Sequence, residues 1–102
     1  MAGLGKFLKQ AQKAQKQVEL VQQQLATREL DVSAGGGAVR IKVNGAGEFL
    51  AVTLDPEFLK EDPTVVAQTI LEAVKQAAAQ AKALNEEEMN KITQQFQMPG
   101  LF

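Results

Sequence analysis

Cysteine, histidine, tyrosine and tryptophan are all missing from this chain of 102 residues. Without cysteine there is no disulfide framework, no thiol nucleophile and no thiolate metal site. Without histidine the commonest neutral-pH general base and the commonest metal ligand are gone. Proline occurs three times, so long helices are free to run uninterrupted. Long apolar runs are missing as well. The N-terminus MAGLGKFLKQ lacks the apolar run of a signal peptide, and no segment is long and apolar enough to span a bilayer. The expectation is one soluble cytoplasmic domain with no cofactor, no metal and no small-molecule substrate.

Residues 30–54 are the part around which the chain is arranged. Val39, Ile41 and Val43 alternate with Arg40, Lys42 and Asn44, the period-two pattern of a strand with one apolar face. Asn44-Gly45-Ala46-Gly47 supplies turn chemistry. Leu50, Val52 and Leu54 then alternate with Thr53 on the other face. Leu30 to Ser33 alternates more weakly and joins the hairpin through Gly35-Gly36-Gly37. Three antiparallel strands are expected, over about 29–33, 38–44 and 48–54, with the triple glycine as a mobile loop. Neither glycine run cradles a phosphate: no Gly-Lys-Ser/Thr follows the first, and the second lacks its third glycine and the helix that should follow.

Long helices flank the strands. Over 3–27, Leu4, Phe7 or Leu8, Ala11, Ala14, Val18, Val21 and Leu25 recur at spacings of three and four, an apolar stripe of the heptad kind. Leu20 lies off the stripe. Asp55-Pro56 ends the sheet, a single turn with Phe58 and Leu59 capping the core follows, and Asp62 (or Thr64) caps a second helix. That helix is expected over about 64–95, with Val66 or Ala67, Ile70, Val74, Ala77, Ala81 and Leu84 as its stripe. Residues 96–102 read as a flexible tail. The fold class is α+β: helix, three-stranded antiparallel sheet, helix. Two extended helices in so short a chain favour burial by a partner chain, hence a dimer.

Charge is unevenly placed. The net charge is −1, yet residues 1–28 hold Lys6, Lys9, Lys13, Lys16 and Arg28 against Glu19 alone, while the rest of the chain is acidic. At 100° per residue the four lysines fall in one sector nearly opposite the apolar stripe. A solvated face is the commoner meaning of such a row. The lack of interleaved carboxylates points instead to an anionic ligand for the row. Arg40 and Lys42, on the polar face of the hairpin, are secondary candidates, for which solvation or pairing with acids is an equal reading. Asp55, Glu57, Glu61 and Asp62 cluster after the sheet, but turn and cap roles account for Asp55 and Asp62, so no catalytic residue is named.

Several runs together resemble the YbaB/EbfC family of bacterial nucleoid-associated proteins. They are Gly3-Leu4-Gly5-Lys6 leading into Lys9-Gln10-Ala11-Gln12, then residues 37–45 (GAVRIKVNG), Val52-Thr53-Leu54-Asp55-Pro56 and Met98-Pro99-Gly100. The resemblance implies a homodimer with a central body and projecting helices, tweezer-like in outline. It also implies binding of double-stranded DNA in the nucleoid with weak sequence preference and an altered DNA conformation. The candidate DNA contacts are Lys6, Lys9, Lys13, Lys16, Arg28, Arg40 and Lys42. The competing reading is a coiled-coil interaction or chaperone module of the prefoldin type, with no nucleic acid.

Overall fold

The computed structural model describes residues 2–96; of the tail expected over 96–102, residues 97–102 lie outside them. The elements run α1 (Ala2–Thr27), β1 (Glu29–Ala34), β2 (Val39–Asn44), β3 (Phe49–Leu54), a 3-10 turn (Phe58–Lys60) and α2 (Pro63–Gln95). The three strands form one antiparallel sheet in the order β1-β2-β3. Strand limits differ from the sequence reading by one residue at an end.

The alternation in β2 sets the layers. Val39, Ile41 and Val43 are buried, and their partners in β1 are Ala34, Val32 and Leu30. Residues paired across an antiparallel ladder share a face, so one face of β1 and β2 is continuously apolar. α2 lies across that face and packs Ala73, Ala77 and Ala81 into it. Three small side chains at a spacing of four let helix and sheet approach closely. Ala73 was not on the stripe read from the sequence; Ile70 and Val74 flank the contact, half-buried. Asp62 is the cap at the start of α2: its carboxylate accepts a hydrogen bond from the Thr64 N–H at 3.0 Å, and Pro63 occupies the first helical position.

The β3 side of the sheet is left open, and one expectation fails there. Val52 and Leu54 face the same way as Ile41 and Val39, yet Val52 is 56% exposed and Leu50 48% exposed. α2 covers β1 and β2 and stops short of β3. In the turn that follows, Phe58 packs on the core, but Leu59 stays exposed. Leu59 sits on the outer side of a single 3-10 turn whose one inward position is taken by Phe58. A bulge between Lys42 and Val43 shifts the β2–β3 register.

The β1–β2 connection needs its glycines. Gly35, Gly36 and Gly37 have φ of 64, 67 and 92°, a region L side chains rarely adopt. A Cβ on Gly35 would also stand 2.8 Å from the Thr69 methyl. The connection is therefore a defined reversal packed against α2.

The distal half of α2 leaves the sheet and packs on α1. Val21, Leu25 and Ile92 form a second buried cluster, with Val18, Leu84, Met89 and Phe96 against it. α1 runs towards the sheet and α2 away from it, so the pair is antiparallel. α1 extends beyond the end of α2, and the described chain is 70 Å long and 16 Å thick.

Candidate nucleic acid interface

The projecting part of α1 carries the lysine row. Lys6, Lys9, Lys13 and Lys16 are all exposed. Among the described residues none of them forms an ion pair. Lys6, Lys9 and Lys13 line one shallow surface together with Gln10, and Lys16 lies further along with Gln12, Gln15 and Glu19. Successive lysines are three or four residues apart, so their ammonium groups are spaced by about 5 Å along the axis. The helix needs no packing there to hold this geometry. Its Gln-, Lys- and Ala-rich composition supplies good helix formers, and its apolar stripe is on the opposite side.

The other candidate cations are differently placed. The Arg28 guanidinium is 3.7 Å from a Glu88 carboxylate oxygen, in the loop joining α1 to β1. Lys42 Nζ is 3.4 Å from Glu29 Oε2, across the β1–β2 ladder. Arg40 Nε donates to the Gly37 carbonyl at 3.3 Å, which draws its side chain back over the glycine turn. The structure thus brings the four α1 lysines onto one free face and leaves Arg28, Arg40 and Lys42 elsewhere, engaged with neighbours. A solvent-facing sheet surface with local pairing accounts for Arg40 and Lys42.

What fixes the direction of α1 is a junction that the sequence showed only as a turn. Asn44 is 2% exposed. Its Nδ2 donates to the Ala26 carbonyl at 3.1 Å and to Glu48 Oε1 at 3.0 Å. Its Oδ1 accepts from the N–H groups of Ala46 and Glu48 at 3.0 and 2.9 Å. One side chain thereby shapes the hairpin turn and ties it to the last turn of α1. Next to it the Gly45 N–H donates to the carbonyls of Leu25 and Arg28 at 2.9 and 3.0 Å. A Cβ on Gly45 would lie 2.9 Å from the Leu25 carbonyl oxygen, so only glycine admits this approach. Asn85 of α2 closes the junction by donating to Gly45 O and to Gln22 Oε1, each at 3.4 Å.

Among the described residues no catalytic arrangement accompanies this surface. Asp55 accepts from the Glu57 N–H at 3.1 Å, and Glu57 pairs with Lys60 at 3.1 Å. With Asp62 as a helix cap, three of the four carboxylates after β3 have structural roles. Among the described residues no group of three acidic side chains is placed to hold a metal ion, and no helix is long and apolar enough to cross a membrane.

Residues 1–96 match the model of the YbaB/EbfC DNA-binding family. A nucleoid-associated protein of Clostridium novyi (strain NT) is 40% identical over 100 residues, covering 97% of this chain and 88% of that one. One from Pelotomaculum thermopropionicum is 36% identical over 100 residues, covering 97% and 95%. One from Cutibacterium acnes is 41% identical over 99 residues, covering 96% and 87%. An uncharacterised protein from Helicobacter pylori has a crystal structure that superimposes with a TM-score of 0.70. It is 21% identical, and the match covers 93% of this chain and 95% of that one; at that identity the likeness is one of fold.

Proposed function

The chain belongs to the YbaB/EbfC DNA-binding family, and from that premise we propose that it binds duplex DNA as a homodimer, through backbone phosphates, and alters the DNA's conformation in the nucleoid of the cytoplasm. The observation that carries the reading is the row Lys6, Lys9, Lys13 and Lys16: exposed, on one helix face, and without carboxylate partners among the described residues. Lysines neutralise phosphates and release condensed counterions, which gives affinity without sequence information. That face carries neither an arginine nor an aromatic side chain to read base edges. Weak sequence preference follows. Family membership favours this reading over a prefoldin-like client-binding module, and it is a DNA-binding rather than a catalytic family. Titration of labelled duplex DNA by fluorescence anisotropy tests it. With about four to six phosphates contacted, log Kd against log salt has a slope on the order of 4 to 5 in magnitude. Binding that ignores salt, or none at low salt, sinks the proposal.

The homodimer rests on the β3 side of the body. Val52 and Phe49, paired with Ile41 and Val43, extend the buried face of the sheet but are exposed, and Leu71 is exposed as well. β3 is also a sheet edge, with unpaired backbone groups that invite a further partner. A twofold contact buries the same patch on both chains, and pairing doubles the lysine rows and sets them apart, as bending or bridging DNA requires. Equilibrium sedimentation checks this. The wild type is expected at twice the 11.0 kDa chain mass, and Val52→Lys near the single mass with its helix content kept. A wild type that sediments as a monomer removes the dimer.

A further inference from the structure

The apolar stripe of α1 is covered over only half its length. Val21 and Leu25 are buried against α2, with Val18 half-buried beside them. Beyond them the same stripe continues through Ala14, Ala11, Leu8, Phe7 and Leu4, where Leu4 is 61%, Leu8 53% and Phe7 41% exposed. Scattered apolar side chains on a surface are ordinary, but a contiguous patch marks a contact. The bare half repeats at the same heptad spacing by which the other half already meets α2. Its side chains are also ordered by size: Leu4, Phe7 and Leu8 are large, Ala11 and Ala14 small. The positions balance about Ala11. Leu4 and Val18 each stand seven residues from it, and Leu8 and Ala14 each stand three.

We propose that this stripe docks antiparallel on the same stripe of a second copy, with Ala11 at the twofold axis. Three observations support that occupant. The first is self-complementarity, which a twofold contact requires. Turned end for end about Ala11, the stripe sets Leu4 beside Val18, and Phe7 and Leu8 beside the small Ala14. A parallel pair would crowd Leu4, Phe7 and Leu8 against their own copies and leave Ala11 and Ala14 underfilled. The second is charge. The stripe positions carry none, and Lys6, Lys9, Lys13 and Lys16 lie nearly opposite them. In the pair the two lysine rows point outward, about 20 Å apart, well past the Debye length of about 8 Å at physiological salt. The third is length. The pair overlaps from Leu4 to Val18, about 21 Å of helix. It ends where α2 takes over the stripe, since Phe96 packs on the Val21–Leu25–Ile92 cluster. The contact involves α1 alone, away from β3, and holds whether or not the lysines bind DNA.

The chain has no cysteine of its own, so a single substitution reads the contact. Under mild oxidation Ala11→Cys is expected to link two chains, because the twofold axis brings the two Cβ atoms within disulfide reach. Lys13→Cys, on the opposite face, should link on the order of tenfold more slowly. Ala14→Cys should be as slow, since its two copies stand about 9 Å apart along an antiparallel pair. Phe7→Asp added to Ala11→Cys should slow linkage on the order of tenfold by placing a charge in the contact. These positions are exposed or half-buried on α1, so loss of folding does not confuse the readout. Equal rates at Ala11 and Lys13 overturn the proposal; that is the result if the stripe is filled by its own chain, by another partner or by nothing. Equal rates at Ala11 and Ala14 overturn the antiparallel register. The series is run in the wild type and in Val52→Lys, where the linked product is expected at twice the chain mass. Linkage that vanishes with Val52→Lys would belong to the β3 contact and overturns the proposal as well. DNA binding is read separately by anisotropy, and its absence leaves the linkage result standing.

Discussion

Reversing the charge of Lys6, Lys9, Lys13 and Lys16 to glutamate is expected to weaken duplex binding by at least on the order of 10³-fold at physiological salt. Each lysine replaced removes a phosphate contact with its counterion release, and each glutamate added repels the polyanion. The four side chains are exposed and make none of the described ion pairs, so nothing in the fold compensates for them and nothing is lost with them. Circular dichroism should be unaltered. The double change Lys9→Glu with Lys13→Glu should already flatten the salt dependence. By contrast, Arg28→Ala and Lys42→Ala should shift affinity by less than about threefold, because those cations spend their charge on Glu88 and Glu29. An anisotropy series on these variants decides the matter. Equal losses across all of them would move the interface from α1 to the body.

Asn44→Ala is expected to cost about 3 kcal/mol of stability, and to lower Tm by about 10 °C or more in a domain of this size. Alanine removes all four side-chain hydrogen bonds at once. It leaves the Ala26 carbonyl and the N–H groups of Ala46 and Glu48 without these partners, around a position that is itself 2% exposed, and part of that loss is a desolvation cost. Asn44→Asp separates the two halves of the effect. Aspartate keeps the acceptor for the turn N–H groups, loses the donor to Ala26, and sets a second carboxylate beside Glu48. It should therefore hold the hairpin and release the helix. Thermal unfolding followed with exchange of the last turn of α1 distinguishes them. A change below about 0.5 kcal/mol for Asn44→Ala, the size typical of a surface position, would mean the junction is held by Gly45 and Asn85 alone.

The element order and the strand pairing were legible because each rests on a local signal. Val39-Arg40-Ile41-Lys42-Val43 announces a strand by alternation, Asn44-Gly45 a turn, and Asp62-Pro63 a helix start. The lysine sector was legible too, since helical periodicity fixes which side chains share a face. What could not be read was cover. Alternation says that Leu50 and Val52 face the core side, but only the placement of α2 decides that they stay uncovered. The pairing of Arg28 with Glu88 and the closure of Gly45 by Asn85 were hidden for the same reason: the partners are far apart along the chain. Ala73 escaped notice because a small side chain adds little to an apolar pattern, although close approach of helix and sheet depends on its smallness. Asn44 was read for its backbone, while its side chain carries the junction.

Arg28 alone separates the end of α1 from the start of β1, and the Asn44–Gly45 junction grips the helix just before that link. Mechanically, this is a lever with its fulcrum at the sheet. From Leu25 to Lys6 the arm is about 28 Å long, so a tilt of about 5° at the fulcrum carries Lys6 through about 2.5 Å. The same gearing runs backwards. A load on the arm returns to the hairpin through Asn44 and Gly45 and to α2 through Val21 and Leu25, so the stiffness felt at the tip is set where these contacts meet.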